Sequence, residues 1–157
     1  MLIRTTIFAL ALASLVSGAA TLATAAPTGS DAVVKAKAVA GKPGGGGLQV
    51  IEVELTMDDG WHLYANPVGN KDLLPNQVVV SASANKKPID AKVEYPKGKL
   101  FKDATLGDYY IYEDKVTIKV TVDRSALGSA PVDLKVAVQA CNSTTCKTPA
   151  DIKLSVP

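Results

Sequence analysis

Residues 115–123 read KVTIKVTVD, and their alternation decides the fold class. Val116, Ile118, Val120 and Val122 point to one side of an extended chain, while Lys115, Thr117, Lys119 and Thr121 point to the other. Such a segment is a half-buried antiparallel strand, with one face on a core and the other in water.

Working outward, the same kind of pattern recurs in short runs separated by Gly, Pro, Asn and Asp. LQVIEVELTM (48–57) sets Leu48, Val50, Val53 and Leu55 among Gln49, Glu52 and Glu54, and AVVKAKAVA (32–40) sets Val33, Lys35, Lys37 and Val39 against Val34, Ala36 and Ala38. The glycine-rich GKPGGGG (41–47) between them predicts a hairpin. Further strands are expected in 58–67 after a turn at Asp59-Gly60, and in 76–85, 91–96, 132–141 and 151–156. No segment after residue 30 keeps an apolar i, i+3, i+4, i+7 spacing over three turns, so helix content should be low. Roughly eight or nine strands at regular spacing predict an all-β, immunoglobulin-like antiparallel β-sandwich forming a single domain, with a small closed barrel as the competing architecture.

The ends bound the cellular context. Residues 1–26 combine Arg4, an apolar run from Ile7 to about Val16, and small residues up to Ala23, Ala25 and Ala26, which is the form of a secretory signal peptide. Cleavage after Ala25 or Ala26 leaves a domain over 27–157 with a loose lead to about residue 31. No later stretch approaches the length of a membrane span, so the mature chain is expected to be soluble and not membrane-embedded. With 17 Lys and Arg against 15 Asp and Glu, the charge makes no electrostatic case for nucleic acid or a membrane surface. The lysines at 35, 37, 115, 119, 135 and 153 fall on the polar sides of strands. Aromatics on alternating strand positions read as packing; Tyr110 and Tyr112 share one face, Tyr109 and Ile111 the other, and one of these pairs should be wet.

Export places Cys141 and Cys146, the only cysteines, in an oxidising compartment. A structural disulfide is the ordinary reading of two such cysteines. A loop of about six residues, however, contributes only about 2 kcal/mol in the chain-entropy estimate, against about 4.7 kcal/mol for a 100-residue loop. Cys141 ends the apolar run LKVAVQA, and NSTT supplies turn-forming side chains before Cys146, which places both sulfurs near the end of the sandwich with at least one accessible. Lys147 follows directly, and a neighbouring ammonium favours thiolate. A metal site of Cys141, Cys146 and His62 is disfavoured, because the C-x4-C spacing is wide and a fourth ligand is lacking. Asn142-Ser143-Thr144 matches the short glycosylation pattern, which is frequent by chance. One histidine without a motif supports no hydrolytic triad, and no phosphate loop or cofactor fingerprint occurs.

DDGWHLYANP (58–67), LGDYYIYEDKVTIKVTV (106–122) and VAVQACNSTTCKTPADIKLSV (136–156) together resemble the amino-terminal periplasmic domain of the bacterial thiol:disulfide interchange protein DsbD. The most specific part is Gln139, Ala140, Cys141, Cys146 and Pro149; Gly60-Trp61-His62-Leu63-Tyr64 is the second signature. The resemblance implies an immunoglobulin-like sandwich in the periplasm whose cysteine pair carries reducing equivalents without a cofactor. Cys146 would engage partners and Cys141 would resolve the mixed disulfide. The implied partners are thioredoxin-like or disulfide-isomerase proteins, with electrons supplied by a separate membrane thiol reductase. Tyr64 matches a tyrosine packed beside the site, His62 stands where another tyrosine is usual, and Asp103 falls in the stretch equivalent to a cap loop. The cysteine loop is one residue shorter than in the family, and Thr105 and Leu106 stand where an aromatic cap is expected, with Phe101, Tyr109 and Tyr110 nearby. The alternative function is a non-catalytic exported binding or adaptor module with a structural Cys141–Cys146 disulfide.

Overall fold

A computed structural model describes residues 28–157; the expected signal peptide lies outside them. The chain forms β1 (Val34–Ala40), β2 (Leu48–Met57), β3 (His62–Tyr64), β4 (Val79–Ala84), β5 (Lys87–Pro88) and β6 (Ala91–Glu94). It continues through β7 (Lys99–Phe101), β8 (Tyr109–Glu113), β9 (Lys115–Asp123), β10 (Val132–Val138), β11 (Ala140–Cys141) and β12 (Ala150–Val156). The helical segments among the described residues are short 3-10 turns at Ser30–Ala32, Gly45–Gly47 and Lys71–Asn76.

Strands group into three antiparallel four-stranded sheets, ordered β1-β2-β9-β6, β12-β10-β4-β5 and β11-β3-β8-β7. The first two are the layers of an immunoglobulin-like sandwich. Ile51, Val53 and Leu55 of β2 and Val116, Ile118, Val120 and Val122 of β9 meet Val80 and Ala82 of β4 and Val132, Leu134, Val136 and Val138 of β10 in one core. The alternation in β9 is as predicted, with Lys115, Thr117 and Lys119 on the wet face. The hairpin between β1 and β2 also forms as predicted, with Ala40 opposite Ile51.

Four expectations are corrected. In β2 the inward set is Gln49, Ile51, Val53, Leu55 and Met57, so Leu48 and Val50 face water. Gln49 is buried because Arg124 Nε donates to its Oε1 at 2.6 Å and its own Nε2 donates to Gly41 O at 2.8 Å, which satisfies a polar residue inside the core. Neither tyrosine pair is wet: Tyr109, Ile111 and Tyr112 are buried and Tyr110 is half-buried, since the third sheet lies against the sandwich on one side and a second apolar cluster on the other. Over its described residues the amino-terminal lead is not loose, because Ser30 is fully buried. Finally, β5, β7 and β8 are additional strands and the expected strand over 132–141 is split into β10 and β11; β5 and β7 are too short to show a period.

Candidate redox site

The site is built where one strand changes sheets. Inward alternation in β10 runs through Val132, Leu134, Val136 and Val138 and continues to Ala140 after the break at Gln139. There the chain leaves the second sheet and pairs with β3 in the third, with Ala140 opposite Leu63 and Cys141 opposite His62. Gln139 anchors the crossing through hydrogen bonds from Asn76 Nδ2 to its Oε1 and from its Nε2 to Lys147 O.

Cys141 and Cys146 are joined as a disulfide, with Cα atoms 4.0 Å apart. The backbone explains the pairing. Asn142 N–H donates to Thr145 O at 2.9 Å and Lys147 N–H donates to Ala140 O at 2.8 Å. These bonds flank Cys141 and Cys146 as a non-hydrogen-bonded antiparallel pair, the position at which facing side chains lie closest. The turn between them is closed by Asn142, whose Oδ1 accepts from the backbone N–H of Thr144 and Thr145, both at 2.9 Å, and from Thr144 Oγ1 at 3.0 Å. The two sulfurs differ in access: Cys141 is 2% exposed, whereas Cys146 lies on the surface.

Around Cys141 stand Tyr64, Tyr109, Val68, Leu73 and Ile111. The Tyr64 hydroxyl lies 3.6 Å from Cys141 Sγ. A disulfide sulfur has no hydrogen to give, so the hydroxyl is the donor. Burial, with Asp103 nearby, pushes the Tyr64 hydroxyl up from its ordinary value, which keeps that proton in place. The His62 ring is stacked on Phe101, with centroids 6.0 Å apart, and meets Tyr64 edge-on at 6.0 Å. Burial holds the His62 imidazole below its ordinary pKa, opposed by Glu113, its cross-strand neighbour.

An open cleft of about 420 Å³ lies between the cysteine hairpin and the loop after β7, and His62, Tyr64, Phe101, Asp103, Leu106 and Tyr109 contribute to its walls. Asp103 shapes that loop: its Oδ1 accepts from Thr105 N–H and Leu106 N–H at 2.8 Å, and these bonds hold the carboxyl below the usual carboxylate range. Asn70 Nδ2 donates to Leu106 O at 2.7 Å and ties the loop to the neighbouring 3-10 turn. Phe101 and Leu106 remain 37% and 49% exposed, so the cleft is rimmed by apolar side chains and Cys146 is not covered.

Of the residues singled out in sequence, Cys141, Cys146, His62, Tyr64 and Asp103 therefore meet in one cleft. Lys147 is directed elsewhere, with its ammonium 5.5 Å from the centre of the Trp61 ring. Ser30 carried no signal in the sequence, since its partners are more than a hundred positions away: its Oγ donates to Thr148 O and accepts from Ala140 N–H, both at 2.9 Å.

The model of the family described as thiol:disulfide interchange protein DsbD, N-terminal, matches residues 30–156. The chain belongs to the DsbD amino-terminal family. The match spans nearly all of the described residues and both cysteines, and the family is one of thiol–disulfide exchange. Among solved structures the chain is similar to the N-terminal periplasmic domain of ScsB from Proteus mirabilis, at 18% identity and a TM-score of 0.58, covering 79% of this chain and 46% of that one. That likeness concerns the fold, over less than half of the ScsB chain. The reduced DsbD n-terminal domain of Neisseria meningitidis is matched at 16% identity and a TM-score of 0.47, covering 68% and 74% of the two chains. The complex between the DsbD and PilB N-terminal domains of Neisseria meningitidis is matched at 17% identity and a TM-score of 0.49, covering 68% and 73%. No curated protein matches the chain significantly.

Proposed function

We propose that the protein is a periplasmic thiol–disulfide carrier in which Cys146 exchanges with protein partners and Cys141 resolves. The observation that carries this reading is the unequal access of the two sulfurs: Cys146 is exposed beside an apolar-rimmed cleft, and Cys141 is buried behind it. In the reducing direction the Cys146 thiolate attacks one sulfur of a partner disulfide and displaces the other as a thiolate. The Cys141 thiolate then attacks Cys146 Sγ, which releases the second partner thiol and leaves the Cys141–Cys146 disulfide. Two electrons pass to the partner, and protons from solvent complete its dithiol. During recharging a donor thiolate takes the exposed Cys146 Sγ, and Cys141 leaves as thiolate within reach of the Tyr64 hydroxyl, which is placed to donate to it. Thioredoxin-like or disulfide-isomerase proteins are the proposed acceptors, and a separate membrane thiol reductase is the proposed donor.

Cys141→Ala removes the resolving step, so the variant is expected to accumulate mixed disulfides through Cys146 in periplasmic extract, visible as reducible bands on non-reducing gels. Cys146→Ala should capture none. A wild-type reduction potential well below about −300 mV marks a structural bridge and overturns the carrier reading in favour of an adaptor module.

A further inference from the structure

We infer that Ser30 is a positioning residue for the cysteine pair, acting as a stitch across the two arms of the redox hairpin; this rests on the exchange reading above. Ser30 is 0% exposed. Its Oγ accepts from the N–H of Ala140, directly before Cys141, and donates to the carbonyl of Thr148, two positions after Cys146. Its own N–H donates to the same Thr148 carbonyl at 2.9 Å. Preceding it, Gly29 lies so close that a Cβ there would stand 3.1 Å from Thr148 Oγ1, which brings the turn hard against the outgoing arm. One side chain thus joins the strand that carries the buried sulfur to the strand that carries the exposed one, independently of the disulfide.

The consequence concerns the reduced form. When the disulfide opens, the arms are held by the Asn142–Thr145 and Lys147–Ala140 backbone bonds and by Ser30. By keeping the thiols at bonding distance, Ser30 raises their effective concentration toward each other and so favours ring closure. Without it the reduced hairpin gains freedom that the oxidised one cannot share, and the disulfide becomes easier to reduce.

The test equilibrates wild type and Ser30→Ala with glutathione redox buffers and reads the oxidised fraction. The equilibrium constant for disulfide formation is expected to fall about tenfold, which is a potential about 30 mV less negative. The thermal midpoint of the oxidised variant should fall more than that of its reduced form. An unchanged potential with equal losses in both forms assigns Ser30 to general stability and overturns the inference. Hydrogen exchange in the wild type needs no variant: the Ala140 amide should stay protected in the reduced protein, and fast exchange there overturns the stitch. A wild-type potential below the structural threshold would sink the carrier reading while leaving the Ser30 shift measurable, so the two failures are distinct.

Discussion

At the scale of single residues, the identities of the cysteines, His62, Tyr64 and Asp103 were legible in the sequence as site candidates, and the structure places all of them around one cleft. What they do there depends on distances that sequence does not carry. Lys147 is the clearest case, since adjacency to Cys146 made its ammonium a neighbour of the thiolate, yet strand alternation turns it to the other face, where it meets Trp61. His62 is the only histidine, which makes its titration separable from the carboxylates. Burial lowers its folded pKa below the unfolded value of about 6.5. The unfolded chain therefore binds the proton first as pH falls, and stability is lost from about pH 6.5 downward until the folded imidazole also protonates. Urea midpoints should drop between pH 7.5 and 5.5 in the wild type, and His62→Phe, which keeps the stack on Phe101, should flatten that part of the profile.

At the scale of elements, the strands whose two faces differ were readable. β2, β9 and β12 lie within a residue of their expected bounds because one side meets the core and the other meets water. Phase was harder than position. Leu48 and Val50 looked like core residues by type, yet the strand keeps the phase of Ile51, Val53 and Leu55, which turns Gln49 inward, where hydrogen bonds with Arg124 and Gly41 O satisfy its amide. β8 is covered on both faces and so shows no alternation in its sequence. Its edge neighbour β7 is seated by a close approach: a Cβ on Gly98 would lie 2.6 Å from Ala65 Cβ, 2.9 Å from Tyr110 Cβ and 3.0 Å from Ile111 O. Gly98→Ala must push β7, and with it Phe101, away from β8. It should cost about 1–3 kcal/mol in urea unfolding and loosen the cleft wall beside the cysteines.

At the scale of the whole molecule, the sandwich has two unlike ends. At one end Arg124 is buried, and it joins Gln49, Ala130 O and Pro157 O, tying the start of β2 to the segment before β10 and to the end of β12. The opposite end carries the third sheet and the cysteines. Arg124→Met should leave Gln49 Oε1, Ala130 O and Pro157 O without their donor and lower unfolding stability by about 2–4 kcal/mol. The Cys141–Cys146 potential should stay unchanged, because the clamp and the site lie at opposite ends of the long strands. By itself the sequence determined the all-β class, the phase of β9, the first hairpin and the pairing-prone cysteine turn, since each depends on the alternation or turn chemistry of neighbouring residues. Only the tertiary structure decided which sulfur is exposed, where Lys147 points, that the leading segment is clamped rather than loose, and that Ser30 joins the arms of the hairpin. Those depend on contacts between residues far apart in the chain, and local pattern holds no record of which distant surfaces will meet.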